Sequence, residues 1–141
     1  MTTNPAPITQ PLADNNGLPT LPWTLFFNQT YNGDAGLDWT PTLTSLTGST
    51  TSVTGRYYRL SQYLVFFRIT ITPNGNTSST AGTTYASGFP LNFTADGFNT
   101  VVSGSGGGTI GMNRASDQRI LFPGWSNVSV PLIILGMGEA T

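Results

Sequence analysis

The sequence YLVFFRITIT, residues 63–72, is the longest alternating apolar run of the chain. Successive side chains of a β-strand point to opposite faces of a sheet, so this alternation predicts a strand with one apolar face. The predicted core face carries Val65, Phe67, Ile69 and Ile71. The opposite face begins with Leu64 and Phe66 and becomes polar from Arg68 onward. Because two large apolar side chains together are unfavourable in water, we expect another element or another subunit to cover them.

Shorter β-like segments surround this strand. A polar turn is predicted over residues 48–52, and Pro73-Asn74-Gly75-Asn76 predicts a second turn, because Asn-Gly accommodates positive φ. Further strands are predicted at residues 39–44, 52–60, 83–93, 98–103, 109–114, 119–122 and 128–137. About eight strands without a convincing helix between them predict an all-β fold for residues 37–141, an antiparallel β-sandwich of jelly-roll-like architecture.

The last predicted strand is apolar on both faces through its middle, as in a strand at a subunit interface. One of its faces carries Ile133 and Leu135. These two residues and Leu64 and Phe66 of the long strand are our candidates for contacts between subunits.

Residues 1–36 are predicted to be an N-terminal arm. Its prolines exclude a helix over residues 1–22 and disfavour a central strand: Pro5, Pro7, Pro11, Pro19 and Pro22. The arm is either a disordered tail or an extended segment that lies on a neighbouring subunit. Residues 20–31 contain an apolar cluster with helical spacing, which predicts a short helical anchor. The candidate anchor and assembly residues are Ile8, Leu12, Leu18, Leu21, Trp23, Phe26 and Phe27.

The charge pattern excludes several classes of partner. Charged residues make up only 8% of the chain, the net charge is -1, and Lys, His and Cys are absent. Nucleic-acid binding needs clustered basic residues, so we expect none. The N-terminus lacks the pattern of a secretory signal, and the longest apolar run, residues 130–135, is too short to span a bilayer, so we expect no membrane insertion.

Catalytic and metal sites are not predicted. The chain has no His, so the candidates for general acid–base catalysis are two carboxylate pairs, Asp34 with Asp38 and Asp96 with Asp117. All four residues lie in turn-like contexts, where Asp is common for structural reasons. Transition metals prefer His or Cys, and residues 32–38 fail the calcium-loop spacing, which leaves at most a weak loop site for calcium. We therefore expect no enzyme activity and no cofactor.

Two aromatic residues near loops are candidates for contact with a glycan. Tyr85 and Trp125 have flat apolar rings that could stack on sugar rings. The alternative is that they pack in the core or at an interface, as most aromatic residues of β-sandwiches do.

The chain resembles a recurrent module of tailed-bacteriophage virion proteins, the β-modules of fibres, spikes and tail proteins. The resemblance lies in three stretches: Trp39-Thr40-Pro41-Thr42, Gly55-Arg56-Tyr57-Tyr58, and the apolar strand from Leu64 to Ile71. Phe89 to Phe93 is similar to the middle strand of the module, and Ser61-Gln62 stands where the family usually has a Gly turn.

The resemblance implies a non-enzymatic structural protein of the virion. It would be a homotrimer, attached through its N-terminal arm to other virion proteins of the capsid, portal, connector or tail, and it could contact a glycan on the host surface. An alternative is a capsid decoration protein that stabilises the head. A glycan-acting enzyme is disfavoured by the missing His and the isolated acids.

Overall fold

The structure is a computed structural model that describes residues 36–102 and 110–141. Every regular element in these two ranges is a β-strand. The ten strands are β1 Leu37–Trp39, β2 Thr42–Thr44, β3 Thr47–Arg59, β4 Leu64–Ser79, β5 Tyr85–Ser87, β6 Gly97–Val102, β7 Ile110–Arg114, β8 Arg119–Leu121, β9 Trp125–Val128 and β10 Leu132–Glu139. The predicted all-β antiparallel fold is confirmed. The predicted arm, apart from Gly36, and its helical anchor lie outside the described residues.

The strands form one antiparallel sheet that curls into a half-barrel. Its strand order is β1-β3-β4-β10-β6-β7-β8-β5-β2, and β9 pairs with the second half of β4. β1 and β2 lie at opposite ends of this order, but only Thr40 and Pro41 separate them in the chain. Three Cα steps span at most about 11 Å, so the two ends of the sheet must approach each other. The sheet therefore curls around a single core.

The core lies on the concave side, and β4 supplies its centre. Val65, Phe67, Ile69 and Ile71 are all completely buried, which confirms the core face predicted from the alternation. The ring of Phe67 contacts three other aromatic rings, those of Trp39, Phe89 and Phe93, at centroid distances of 5.6–6.4 Å. Such contacts stabilise a core beyond the area that they bury.

A close approach explains why a glycine stands in the Gly-Arg-Tyr-Tyr step. Trp39 of β1 is paired directly with Gly55 of β3. A Cβ atom at position 55 would lie within 2.6 Å of three atoms of the Trp39 ring. Trp39 of the Trp-Thr-Pro-Thr motif therefore occupies the space that a side chain at position 55 of the Gly-Arg-Tyr-Tyr motif would need.

The two predicted turns at residues 48–52 and 73–76 are wrong. β3 and β4 run through both segments and pair as far as Thr47 and Ser78. Gly48 and Gly75 do have positive φ, but they lie where the β3–β4 ladder is irregular. A β-bulge uses positive φ as a turn does, so local sequence alone did not separate the two. The actual connection is residues 60–63, where the Ser61 hydroxyl accepts a hydrogen bond from the Leu64 amide at 3.0 Å.

Two other predicted strands are divided by proline. Pro41 separates β1 from β2, which then reach opposite ends of the sheet. Pro131 lies between β9 and β10, so the predicted strand 128–137 is two strands. Proline lacks the amide hydrogen that a ladder needs, which accounts for both interruptions.

Candidate functional site: the outward face of the sheet

An apolar row crosses the convex side of the sheet. Side chains that are directly opposite on neighbouring strands share a face, so the register defines the row. The residues that this pairing joins from β3 to β8 form what we call the apolar row: Tyr58, Phe66, Met137, Phe98, Met112 and Leu121. The last of them, Leu121, is buried. Phe98 and Met112 are 53% and 40% exposed. A surface of this kind is typical of a contact with another molecule.

Further apolar side chains extend this face beside the row. Leu135 lies two residues before Met137 on the same face of β10. Ile110 lies two residues before Met112 on the same face of β7. Ile110 is 74% exposed, and Val102, which is paired with Ile133, is 47% exposed. The convex face of β10, β6 and β7 is therefore largely apolar, with Thr100 of β6 as a polar residue between Leu135 and Ile110.

The four predicted interface residues all lie on this face. Leu64 and Phe66 are in β4, and Ile133 and Leu135 are in the adjacent strand β10. All four are half-buried. The structure thus brings together residues that are about 70 positions apart in the chain. Residues of one interface must lie on one surface, and these four do.

Phe98, Val102, Ile110 and Met112 were missed as members of this face. The signal for two of them was in the sequence, since Phe98 and Val102 alternate with Asn99 and Val101. What the sequence did not show is that β6 pairs with β10, which aligns these side chains with Leu135 and Met137.

A buried amide pair fixes the sheet beneath the apolar row. Asn99 of β6 donates from Nδ2 to Oδ1 of Asn113 in β7, at 2.9 Å. Asn113 in turn donates from Nδ2 to the main-chain oxygens of Phe98 and Met137, each at 3.1 Å. Both side chains are completely buried. Because buried hydrogen bonds are costly to break, this pair holds β10, β6 and β7 in one register and keeps the row continuous.

A second, charged row crosses the same face beside the first. It runs across β1, β3 and β4, and we call it the arginine row: Asp38, Arg56 and Arg68, each directly opposite the next. Nε of Arg56 lies 3.6 Å from Oδ1 of Asp38, and both side chains are exposed. Arg68 is exposed, and no carboxylate of the described residues lies within ion-pair distance of it.

A depression of about 450 Å³ opens beside the arginine row. Thr54 and Thr70 are directly paired and line it next to the two arginines. Trp39, Thr40 and Gly55 complete its lining. The depression thus combines two guanidinium groups, one carboxylate and several hydroxyls.

The candidate carboxylate pairs are engaged in structural contacts where the structure describes them. Oδ1 of Asp96 accepts a hydrogen bond from the Ala115 amide at 2.8 Å. Asp117 is held by both nitrogens of the Arg114 fork, with Nε at 2.8 Å from its Oδ1, and Nε of Arg119 is 3.2 Å from its Oδ2. The hydrogen bonds from Arg114, supported by the charges of both arginines, lower the pKa of Asp117 below its ordinary value.

This environment is the opposite of what a carboxylic general acid needs. A glycosidase acid requires a raised pKa, whereas Asp117 is kept ionised. The same contacts raise the pKa of Arg114 above its ordinary value, mainly through its hydrogen bonds to Asp117. Asp38 pairs with Arg56 in the arginine row, and Asp34 lies outside the described residues.

Each of the two candidate glycan residues has a ring contact with a different neighbour. The Arg119 guanidinium stands 4.3 Å above the ring of Tyr85, which is half-buried. The ring of Trp125 packs on Phe122 at 5.8 Å, and its indole nitrogen is buried without a hydrogen-bond partner among the described residues. The structure does not join them into one platform.

The described residues contain no cluster of three or more potential metal ligands, and no helix among them could span a bilayer. All the anchor candidates lie in the part of the chain that is not described: Ile8, Leu12, Leu18, Leu21, Trp23, Phe26 and Phe27. Comparisons of the chain with protein families, with curated proteins and with solved structures find no match. Its function is therefore inferred from its own residues and geometry.

Proposed function

We propose that this chain is a non-enzymatic structural subunit of a virion, of the kind found in the fibres, spikes and tails of tailed bacteriophages. In this proposal copies of the chain associate through the convex face of the sheet, as a homotrimer, and the arm of residues 1–36 attaches the assembly to other virion proteins. The observation that carries the proposal is the apolar row, which extends over neighbouring strands and is exposed at its centre.

The exposed apolar area is large enough to be the centre of an interface. The four most exposed apolar side chains on this face are those of Phe98, Val102, Ile110 and Met112. At roughly 200 Å² for each large side chain, they leave about 400 Å² of apolar surface in water, which is the size of the largest apolar patch on a typical single chain, and such patches are often functional. A specific interface buries about 800 Å² per partner, so the apolar centre and a polar rim of similar area would suffice.

The charge of the chain favours a second copy as the occupant of this face. The net charge is -1, and only 8% of the residues are charged. Copies of a nearly neutral chain do not repel one another at long range, whereas a strongly charged chain is kept monomeric by its own charge. The low net charge of the chain is therefore compatible with close packing of this face against a second copy.

The remaining acids support a structural function over a catalytic one. Asp117 is neutralised by two arginines, and Asp96 caps a main-chain amide. The lowered pKa of Asp117 disfavours it as a general acid at neutral pH.

Sedimentation equilibrium of two single variants tests the assembly. Phe98→Ser removes the large side chain at the centre of the apolar row, and we expect it to weaken self-association at least tenfold, as truncation of a central aromatic residue commonly does. Val130→Ser is the matched control, because Val130 is 43% exposed but lies in the connection between β9 and β10. Equal association of both variants, or a wild-type chain that stays monomeric at every concentration, would contradict the proposal.

A further inference from the structure

We infer that the arginine row binds a carboxylate carried by a hydroxyl-rich ligand, which is the chemistry of an acidic saccharide such as a uronic acid. The inference concerns the depression at β1, β3 and β4, which borders the proposed contact because Arg68 is directly opposite Leu135 of β10.

The first support is an unfavourable pairing that an anion would relieve. Arg56 and Arg68 are directly opposite in the β3–β4 ladder, and like charges in such a pair destabilise a sheet. Asp38 offsets one of them at 3.6 Å from Arg56, while Arg68 faces no carboxylate among the described residues. A planar carboxylate matches the fork of a guanidinium group and would complete the row.

The exposed Arg68 favours a singly charged ligand. Its guanidinium group has no carboxylate within ion-pair distance among the described residues. One carboxylate matches this single positive charge, whereas a phosphate dianion would exceed it and would also be repelled by Asp38.

The lining of the depression selects a ligand with hydroxyl groups. Thr54 and Thr70 form a pair of hydroxyls next to the arginines, and Thr40 is also part of the lining. Hydroxyls both donate and accept hydrogen bonds, and Asp38 is an acceptor that a sugar hydroxyl can approach. The volume of about 450 Å³ is within the range of small-molecule sites.

The experiment is an NMR titration of the full-length, ¹⁵N-labelled chain with sodium glucuronate. Its Arg Nε–H signals report directly on the row. We expect the signals of Arg56 and Arg68 to shift in the millimolar range, with no comparable shift for glucose, which has the ring and hydroxyls but no carboxylate. Inorganic phosphate and acetate are expected to bind at least tenfold more weakly than glucuronate. Equal binding of glucose or phosphate would overturn the inference, and equal binding of acetate would overturn its saccharide component.

The matched variants are Arg68→Gln and Arg59→Gln. Both remove one positive charge from the β3–β4 hairpin, but Arg59 is not part of the row or of the depression. We expect Arg68→Gln to weaken glucuronate binding at least tenfold, because a charge-assisted bidentate contact is lost, and Arg59→Gln to change it less than twofold. Similar losses in both variants would show a general charge effect and overturn the site. Arg68 is exposed, so the variant is expected to fold, and an unchanged amide spectrum away from the row checks this.

Discussion

The contact between Gly136 and Phe67 allows a quantitative test of the core. Gly136 of β10 is directly opposite Phe67 of β4. A Cβ atom at position 136 would lie no farther than 2.7 Å from three carbons of the Phe67 ring. Carbon atoms in van der Waals contact are about 3.5–4.0 Å apart, so Gly136→Ala requires a shift of roughly 1 Å. Phe67 is completely buried and surrounded by other rings, so it has no space for such a shift.

The magnitude follows from two opposing effects. Overpacking of a dense core costs about 1–3 kcal/mol, and this position belongs at the upper end because the neighbour is a rigid ring. In the opposite direction, alanine restricts the backbone of the unfolded chain more than glycine does, which stabilises the folded state by about 0.4–1 kcal/mol. We therefore expect Gly136→Ala to lower the free energy of unfolding by about 2 kcal/mol, measured by urea unfolding followed by circular dichroism at one fixed protein concentration.

Gly138→Ala is the matched control in the same strand. A Cβ atom there would meet Phe93 at 3.5 Å, which is an ordinary contact, and its backbone needs no positive φ. Its free energy of unfolding is expected to stay within about 0.5 kcal/mol of the wild type or to rise slightly. Equal effects of the two substitutions would refute the packing of β10 against Phe67.

Two further predictions concern the first motif and the acid residues. Gly55→Ala should displace the Trp39 ring and destabilise the fold by about 1–3 kcal/mol, visible as a changed tryptophan fluorescence spectrum of the folded state; an unchanged spectrum and stability would mean that the ring does not lie over residue 55. Asp117→Asn should lower stability at pH 7. The folded pKa of Asp117 is depressed, so its contribution is present above the ordinary aspartate pKa of about 3.9 and is lost as the pH falls through the folded value. The urea midpoints of variant and wild type should therefore converge only in strong acid, and a pH-independent difference would contradict this origin.

The alternation of residues 63–72 was sufficient to predict the centre of the fold. A period of two fixes which side chains share a face, and all four predicted core residues of β4 are buried. The same logic placed Ile133 and Leu135 opposite Leu132 and Ile134. The predicted faces therefore hold wherever the strand itself was recognised.

Turns and strand order were less predictable, for a physical reason. Asn74-Gly75 favours positive φ, but a bulge within a long strand satisfies the same preference. Pro41 has no amide hydrogen for a ladder, so the separation of β1 from β2 at this residue could be expected from the sequence. That β1 and β2 then reach opposite ends of the sheet depends on long-range pairing, which local residues do not encode.

The candidate site shows the same division between local and long-range information. Leu64 and Phe66 were recognised as too apolar for solvent from their own strand. Phe98 and Met112 became part of the same face only through pairing of β10 with β6 and of β6 with β7. The arginine row likewise needs the register of β3 against β4, since Arg56 and Arg68 are 12 positions apart.

The central claim, that the apolar row is buried between copies of this chain, is tested most directly by oxidation of Met112. Met112 lies next to Phe98 in the apolar row and is 40% exposed, and hydrogen peroxide converts an accessible thioether into its sulfoxide. Its rate is followed by mass spectrometry of peptides from concentrated, associated protein and from dilute, dissociated protein, with free methionine as the reference. We predict oxidation of Met112 to be several-fold slower in the associated protein. Equal rates in a sample that sedimentation shows to be associated would contradict the claim.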